Sequence, residues 1–134
     1  SQKNALKKFI KENDLTENIS LLGFSKNINK ELSNCDLFVL ASRYEGISNA
    51  VIEALSIGLP VVVTNCPGGN KELVNEGING FLAENENIED LTKKIYKAIY
   101  HIWDYEKIHK AINNKFSKAK IGLKYKKAFL SVLD

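Results

Sequence analysis

The sequence predicts an α/β fold built on a mostly parallel, doubly wound sheet, and three observations lead to this prediction. Residues 36–41 and 60–64 are apolar runs without polar alternation, which is typical of strands buried on both faces. A single helical pattern, over residues 48–57, separates them. The joining loops are short, so right-handed crossovers between parallel strands are the expected connections.

The first third of the chain supplies two helices and a short apolar run. Residues 1–12 place Ala5, Leu6, Phe9 and Ile10 on one face among lysines, which predicts an amphipathic helix without a capping residue at its start. Residues 19–22 are apolar and end at Gly23, and we count them as the first of about four strands. A brief helix is expected around residues 28–33.

The remaining elements follow from turn and helix signals. Gly58 and Pro60 end the helix of residues 48–57, and residues 66–70 predict a turn followed by a helical turn at 71–74. Residues 80–82 predict a short strand. The next helix starts at residue 88 and is expected to bury one face, formed by Ile88, Leu91, Ile95, Ala98, Ile99 and Ile102.

The 134 residues are long enough for one domain and too short for two. Residues 1–100 hold the sheet and its crossover helices. Residues 101–134 add C-terminal helices, at 104–116 and 120–133, that lie outside the sheet pattern. About four strands are few for an open sheet, so we expect a partial Rossmann-like domain whose other strands precede Ser1.

Charge is unevenly distributed along the chain, although the net charge is only +3. Residues 93–127 hold eleven Lys against Asp104 and Glu106, whereas residues 1–92 hold thirteen acidic residues. This basic third would suit peripheral contact with anionic lipids or an acidic partner, or simply solvated helix faces. A nucleic-acid partner is disfavoured, because the chain has one Arg.

The cysteine content and hydropathy predict a soluble chain in the cytoplasm, with attachment to the inner face of the membrane as the alternative. Cys35 and Cys66 are interpreted as free thiols. No apolar run approaches the ~18 to 20 residues that cross a bilayer, and the charged first twenty residues do not resemble a signal peptide.

Ligands of open parallel sheets bind beyond the carboxyl ends of the strands, and three predicted loops lie there, at residues 23–27, 42–49 and 65–70. The middle loop carries Glu45 and Gly46 and runs into a helix at Ser48 and Asn49. Free amides at a helix start favour an anion, most naturally a phosphate. This loop is therefore the principal candidate site.

A second carboxylate, Glu53, follows Glu45 by eight positions, and the helical rise places it roughly 6 to 7 Å beyond the helix start. Carboxylates accept hydrogen bonds from vicinal hydroxyls. Two of them flanking a phosphate site therefore indicate a ligand with sugars on both sides of a diphosphate, which is a nucleotide sugar. The alternative is that Glu45 pairs with Arg43 on the surface and Glu53 is an ordinary exposed residue.

The continuous stretch from Ser42 to Val62, SRYEGISNAVIEALSIGLPVV, resembles the donor-binding half of GT-B glycosyltransferases, in the retaining family 4 or "group 1". The resemblance rests on the two Glu separated by seven residues, the S..EG entry, the EA...G.PVV exit, the later Gly-Gly turn, and Glu76-Gly77 through Leu82. It covers roughly residues 15–100.

The resemblance implies roles for nine residues. Glu45 would be catalytic, beside the donor sugar and its phosphate, and Glu53 would bind the ribose hydroxyls. Main-chain amides would hold the diphosphate, in the segment Gly46, Ile47, Ser48 and Asn49. The base would lie against Gly23, Phe24 and Ser25. The implied reaction is transfer of a sugar from a nucleoside diphosphate to a glycan or lipid-linked acceptor of the cell surface, with retention of configuration. No cofactor and no metal ion are expected.

The chain departs from the family pattern in lacking the glycine-rich turn, the Arg/Lys pair and the acceptor-binding domain that usually precede this segment. We therefore expect this polypeptide alone to be inactive and at most a weak donor binder. Two alternatives remain open: a non-catalytic scaffold or binding module, and a nucleotide-sugar epimerase of the same fold.

Side chains outside the candidate site are assigned structural roles. His101 and His109 are expected to be structural. Trp103 and the tyrosines at 96, 100 and 105 are expected to pack between C-terminal helices, with an interfacial surface as the alternative. The turn at 66–70 is equally consistent with a donor contact through Gly68 and Gly69 and with a simple turn.

Overall fold

The computed structural model describes residues 2–132 and contains a three-stranded parallel sheet in the order β1-β2-β3. The strands are β1 (Phe38–Leu40), β2 (Val61–Thr64) and β3 (Gly80–Ala83). Phe38 of β1 is paired with Val61 of β2, and Val61 is paired in turn with Gly80 of β3. The parallel sheet and its single-helix crossovers confirm the predicted fold class.

Residues 2–132 also form seven helices. They are α1 (Gln2–Glu12), α2 (Ile28–Leu32), α3 (Asn49–Ser56), α4 (Asn70–Leu73), α5 (Ile88–Ile99), α6 (Tyr105–Phe116) and α7 (Lys118–Leu130). Each corresponds to a predicted helix. The expectation that the last helix continues to residue 133 reaches beyond the described residues.

The central strand β2 divides the core in two, because its side chains alternate between the faces of the sheet. All four of its residues are buried. Val61 and Val63 point into the larger core, which includes Leu55 of α3 and Ile108 of α6. Val62 points to the opposite face, where Phe81 and Ala98 of α5 pack against it. Helices therefore cover both faces, as a doubly wound sheet requires.

Helix α6 holds α3 from outside the sheet. Gly58 ends α3 with φ of +88°, and a Cβ at this position would lie 2.6 Å from the main-chain oxygen of Tyr105. The carbonyl of Ser56, near the end of α3, accepts hydrogen bonds from the side chains of His109 and Asn113. Because α6 fixes the C-terminal end of α3, it also fixes the direction in which the N-terminus of α3 points.

The prediction of a strand at residues 19–22 is wrong. The described structure has no strand in this segment, and Ile19, Leu21 and Leu22 are exposed. The main chain instead continues from a turn in which the amide of Ile19 donates to the carbonyl of Leu15. A strand needs a hydrogen-bonded neighbour, and none of the three described strands pairs with residues 19–22.

The predicted buried face of α5 is only half correct. Leu91, Ile95 and Ala98 pack against Val62 and Phe81. Ile88 is 81% exposed at the first turn, Ile99 is 61% exposed, and Ile102 lies beyond the end of the helix. The three-stranded sheet contacts only a narrow stripe of this helix, so apolar residues beside the stripe remain in solvent.

The aromatic and histidine side chains near residue 100 are divided between core and surface. Trp103 packs on Phe81 with ring centroids 5.4 Å apart and donates its indole N–H to the carbonyl of Ala98. His101 packs against Trp103 and hydrogen-bonds the carbonyl of Gly77, which is the structural role expected. The prediction that the tyrosines also pack between helices is wrong, since all three are exposed: Tyr96, Tyr100 and Tyr105.

Candidate functional site at the carboxyl edge of the sheet

The carboxyl ends of all three strands meet at one edge of the sheet because the strands are parallel. Residues 41–48 follow β1, residues 65–69 follow β2, and residues 84–87 follow β3. Hydrogen bonds join the second and the third of these loops to the first, so the three loops form one surface. This surface contains the principal candidate site of the sequence, residues 42–49.

The N-terminus of α3 lies in the first loop. Ser48 is the N-cap residue, and its side chain makes no capping hydrogen bond. The first main-chain bond into the helix comes from the amide of Ile52, which donates to the carbonyl of Ser48 at 3.2 Å. The amides of Asn49, Ala50 and Val51 have no partner within a helix of this kind. The side chain of Ser48 therefore leaves these amides uncapped.

Glu45 is half-buried, and its carboxylate accepts a 2.8 Å hydrogen bond from the hydroxyl of Ser42. The alternative interpretation, in which Arg43 pairs with Glu45, is wrong. Arg43 points to the loop after β3, where its Nε lies 3.1 Å from the carboxylate of Glu86. Both partners of that ion pair are largely exposed. Because Arg43 pairs with Glu86, the Glu45 carboxylate is hydrogen-bonded by Ser42 and not by Arg43.

Glu53 lies one turn into α3 and is exposed, although its neighbours Ala54 and Leu55 are buried. Its main-chain carbonyl accepts a hydrogen bond from the hydroxyl of Ser56. Among residues 2–132 its carboxylate takes part in no hydrogen bond or ion pair. Helical rise separates Glu53 from Asn49 by about 6 Å along the axis. Both acids are thus accessible to a ligand at the α3 N-terminus.

The second loop packs directly on the first. The amide of Glu45 donates to the carbonyl of Pro67 at 3.3 Å, and the amide of Gly69 donates to the carbonyl of Gly46 at 2.7 Å. Gly68 has φ of +127°, and a Cβ on it would overlap the carbonyl of Glu45. The Gly-Gly turn is therefore more than a simple turn, because it fixes the main chain of the candidate site.

The segment Gly23, Phe24 and Ser25 leads into α2. Gly23 has φ of +76°, Phe24 is 90% exposed, and the hydroxyl of Ser25 accepts from the amide of Asn27 and donates to Glu31. Within the described part of the chain, no hydrogen bond joins this segment to residues 42–49. The structure brings Glu45, Gly46, Ile47, Ser48, Asn49 and Glu53 together in one loop and helix, but it does not link residues 23–25 to them.

The third loop, residues 84–87, was missed by the sequence analysis, although it follows a strand as the other two do. The side-chain amide of Asn85 donates to the carbonyl of Arg43 at 3.3 Å. Between this loop and the first lies a cavity of about 260 Å³ lined by Ala41, Arg43, Thr64, Glu86, Asn87, Ile88 and Leu91. The rule that predicted the first two loops would also have predicted this one.

Two further observations concern metal ions and membranes. Among residues 2–132, no group of three or more His, Cys, Asp or Glu side chains is arranged to hold a metal ion. In the same part of the chain, no helix has the length and apolar character needed to span a bilayer. Cys35 is exposed and Cys66 buried, and both are free thiols as expected.

The comparisons with known proteins agree with the resemblance of the sequence. Residues 1–118 match the family model "Glycosyl transferases group 1". Over 133 residues the chain is 35% identical to the N-acetylgalactosamine-N,N'-diacetylbacillosaminyl-diphospho-undecaprenol 4-alpha-N-acetylgalactosaminyltransferase of Campylobacter jejuni, covering 92% of this chain and 35% of that protein.

Two solved structures are similar over almost the whole chain. Anabaena HepE in complex with UDP superposes with a TM-score of 0.87 at 26% identity, covering 96% of this chain and 36% of HepE. A Staphylococcus aureus TarM mutant in complex with Fondaparinux, alpha-GlcNAc-glycerol and UDP gives a TM-score of 0.85 at 30% identity, covering 96% of this chain and 27% of TarM. The chain thus spans about a third of the length of these proteins, and the predicted GT-B architecture is confirmed.

Proposed function

Because the chain belongs to the glycosyl transferases group 1 family, we propose that it supplies the donor site of an enzyme that transfers a sugar from a nucleoside diphosphate sugar. The acceptor is a glycan or a lipid-linked sugar of the cell surface, and the transfer retains the anomeric configuration. The observation that carries the proposal is that two carboxylates flank the uncapped N-terminus of α3 along the chain: half-buried Glu45 in the loop before it and exposed Glu53 one turn after it.

The diphosphate binds at the N-terminus of α3. The main-chain amides of the first turn of α3 point along the helix axis, and the helix dipole adds to their attraction for negative charge. The first turn of α3 holds neither an acidic nor a basic side chain, so the main-chain amides are what this turn offers to the phosphates. The amides proposed to hold the diphosphate are that of Asn49, in the first turn of α3, and those of Gly46, Ile47 and Ser48, in the loop that leads into it.

The two carboxylates bind the sugars at the two ends of the diphosphate. Glu53, exposed and unpaired within the described residues, accepts hydrogen bonds from the ribose hydroxyls. Glu45, held by Ser42, faces the donor sugar. The base lies toward Gly23, Phe24 and Ser25, where the 90% exposed ring of Phe24 offers an apolar surface.

Catalysis in this site is electrostatic. The bond between the anomeric carbon and the phosphate oxygen breaks, the oxygen leaves with the nucleoside diphosphate, and the acceptor hydroxyl bonds to the carbon as its proton passes to the departing phosphate oxygen. Amides at the α3 N-terminus stabilise the negative charge that grows on the leaving group. The Glu45 carboxylate stabilises the positive charge that develops on the sugar ring. No cofactor takes part.

The similar proteins support this choice of substrate. HepE was solved with UDP and, in another structure, with UDP-glucose, and the TarM structure also contains UDP. The name of the Campylobacter jejuni relative describes a lipid-linked acceptor, diphospho-undecaprenol. A nucleotide sugar and a lipid-linked or polymeric acceptor are therefore the substrates that we propose.

We further propose that this polypeptide alone is inactive. It spans 35% of the Campylobacter jejuni relative and 36% of HepE, so most of the length of such enzymes lies elsewhere. Near the α3 N-terminus the nearest cation in sequence, Arg43, pairs with Glu86 and does not replace a diphosphate clamp. The intact protein is here the natural polypeptide that contains residues 1–134. An assay of residues 1–134 alone with UDP-glucose should detect no transfer, whereas the intact protein should be active. Transfer by residues 1–134 alone would contradict this proposal.

The test of the donor site uses Glu53→Gln in the intact protein. We expect the affinity for UDP, measured by isothermal titration calorimetry, to fall about tenfold, because the ribose loses a charged acceptor. The matched control is Glu89→Gln, another exposed helical glutamate on α5, which should bind UDP as the unsubstituted protein does. Unchanged UDP affinity in Glu53→Gln, or no binding by the unsubstituted protein, would favour a scaffold that keeps only the fold.

The proposed place of action is the cytoplasmic face of a membrane, through peripheral contact of the C-terminal helices. Residues 105–132 carry eight Lys against one acid, Glu106. None of the residues of α7 is buried, and the exposed rings of Tyr125 and Phe129 stack with centroids 6.4 Å apart. Lysines beside exposed aromatic rings are typical of surfaces that contact anionic lipids.

A further inference from the structure

Glu45 is held in place by its neighbours in the loop and by the strand beside it. Its carboxylate accepts the 2.8 Å hydrogen bond of Ser42. The carbonyl of Ser42 in turn accepts a hydrogen bond from the hydroxyl of Thr64, which is buried at the end of the central strand. The main chain of Ser42, from which its hydroxyl reaches Glu45, is therefore tied to β2, which lies in the core.

The main chain of Glu45 is fixed independently of its side chain. Its amide donates to the carbonyl of Pro67, and Gly68 packs against its carbonyl so closely that no Cβ would fit. The turn that supplies both contacts is anchored by Asn70, a fully buried residue whose side-chain amide donates to the carbonyl of Thr64 at 3.3 Å. Main chain and carboxylate are thus both tied to the end of β2.

We infer that Ser42 is a positioning residue for Glu45, acting through the hydrogen bond to its carboxylate. The inference rests on the proposed function and adds a residue to it. A glutamate has three rotatable side-chain bonds, and a half-buried one without a partner would sample several rotamers. The hydroxyl of Ser42, on a main chain that Thr64 holds at the Ser42 carbonyl, selects one of them before the donor arrives, which is how a preorganised site lowers the cost of reaching the transition state.

The experiment compares four variants of the intact protein: Ser42→Ala, Ser42→Thr, Glu45→Gln, and the double variant with Ser42→Ala and Glu45→Gln. The readouts are the affinity for UDP and the rate of nucleoside diphosphate release from UDP-glucose, UDP-galactose, UDP-N-acetylglucosamine or GDP-mannose, whichever is fastest. Ser33→Ala is the matched control, because Ser33 also donates from its hydroxyl to a partner in the chain but lies at the end of α2. Thermal unfolding confirms that each variant is folded.

We expect Ser42→Ala to lower the release rate about tenfold, as for loss of a hydrogen bond to a charged group, and to leave UDP affinity unchanged. Ser42→Thr keeps the hydroxyl and should restore most of the rate. In the double variant Ser42→Ala should cost nothing further, because its effect passes through Glu45. A merely structural serine would lower stability and UDP affinity together and would give additive losses.

The outcomes separate this inference from the proposed function. If Glu45→Gln is as fast as the unsubstituted protein, or if none of the four donors releases its diphosphate, the proposed function fails and the inference with it. If Glu45→Gln is slow but Ser42→Ala is not, only the role of Ser42 is overturned. Additive effects in the double variant would also overturn it.

Discussion

Gly68 lies against the main-chain carbonyl of Glu45, so close that a Cβ on Gly68 would overlap the oxygen. The contact joins the loop after β2 to the loop after β1. The contact requires glycine at position 68 for two reasons: its φ is +127°, and there is no space for a side chain. The Gly-Gly turn is therefore a structural part of the candidate site.

Gly68→Ala should destabilise the protein and displace Glu45. Backbone strain at positive φ costs about 1 to 2 kcal/mol, and pushing the loop away adds about 1 to 3 kcal/mol as overpacking does. Gly77→Ala is the matched control, because Gly77 also has positive φ, +70°, but the nearest atom to its Cβ is 4.0 Å away. Urea unfolding measures the free energy of both variants. Equal losses would mean that contact with Glu45 carries no weight.

Thr64→Val should loosen the first loop while keeping the shape of the buried strand end. The change removes the hydroxyl that donates to the carbonyl of Ser42, and we expect a loss of about 1 kcal/mol in the free energy of unfolding. Release of the diphosphate from the donor should also slow. Thr92→Val on α5 serves as control, since its hydroxyl bonds only the carbonyl of Ile88 in its own helix. A variant at position 64 with full activity would show that the strand does not fix the loop.

Elements whose structure is decided by local chemistry could be predicted from the sequence. The valines of β2 could be predicted because they need two apolar faces, and the end of α3 because Gly58 adopts positive φ. The two glutamates were assigned from their spacing together with the resemblance of residues 42–62, and their roles stay predictions. Each of these signals depends on neighbours within a few residues along the chain.

The errors arose where partners distant in sequence decide the structure. Residues 19–22 have the composition of a strand, but a strand forms only beside another one. Arg43 is two residues from Glu45, yet the loop after β3 brings Glu86 to it from more than forty residues away. Ile88 and Ile99 fit a helical apolar pattern that the narrow sheet does not cover. The hydrophobic period of a helix does not predict which of its apolar residues the sheet will cover. Proximity in sequence does not predict which residues will form an ion pair, and apolar composition does not predict which segments will pair as strands.

Arg43→Ala should change little, although Arg43 lies next to the candidate site. Its ion pair with Glu86 is largely exposed on both sides, and such pairs contribute well under about 1 kcal/mol after solvent screening. If the amides of α3 hold the diphosphate, UDP affinity should stay within about twofold of the unsubstituted protein. Calorimetric titration with UDP at two salt concentrations measures this. A salt-dependent loss of affinity of about tenfold or more would identify Arg43 as part of the diphosphate clamp.

Binding to anionic vesicles tests the proposed membrane contact. The intact protein should sediment with vesicles of phosphatidylglycerol and phosphatidylcholine at low salt but much less at high salt, because each lysine near the surface contributes about 1 kcal/mol that ions screen. Substituting Glu for both Lys124 and Lys127 of α7 should weaken binding at least about tenfold. The same change at Lys3 and Lys7, on α1, is the control for net charge, since it alters the total charge equally at the other end of the chain. Equal losses of vesicle binding from the two pairs of substitutions would mean that only the overall charge matters. Vesicle binding that survives the α7 change would mean that the basic helices face solvent and do not contact the membrane.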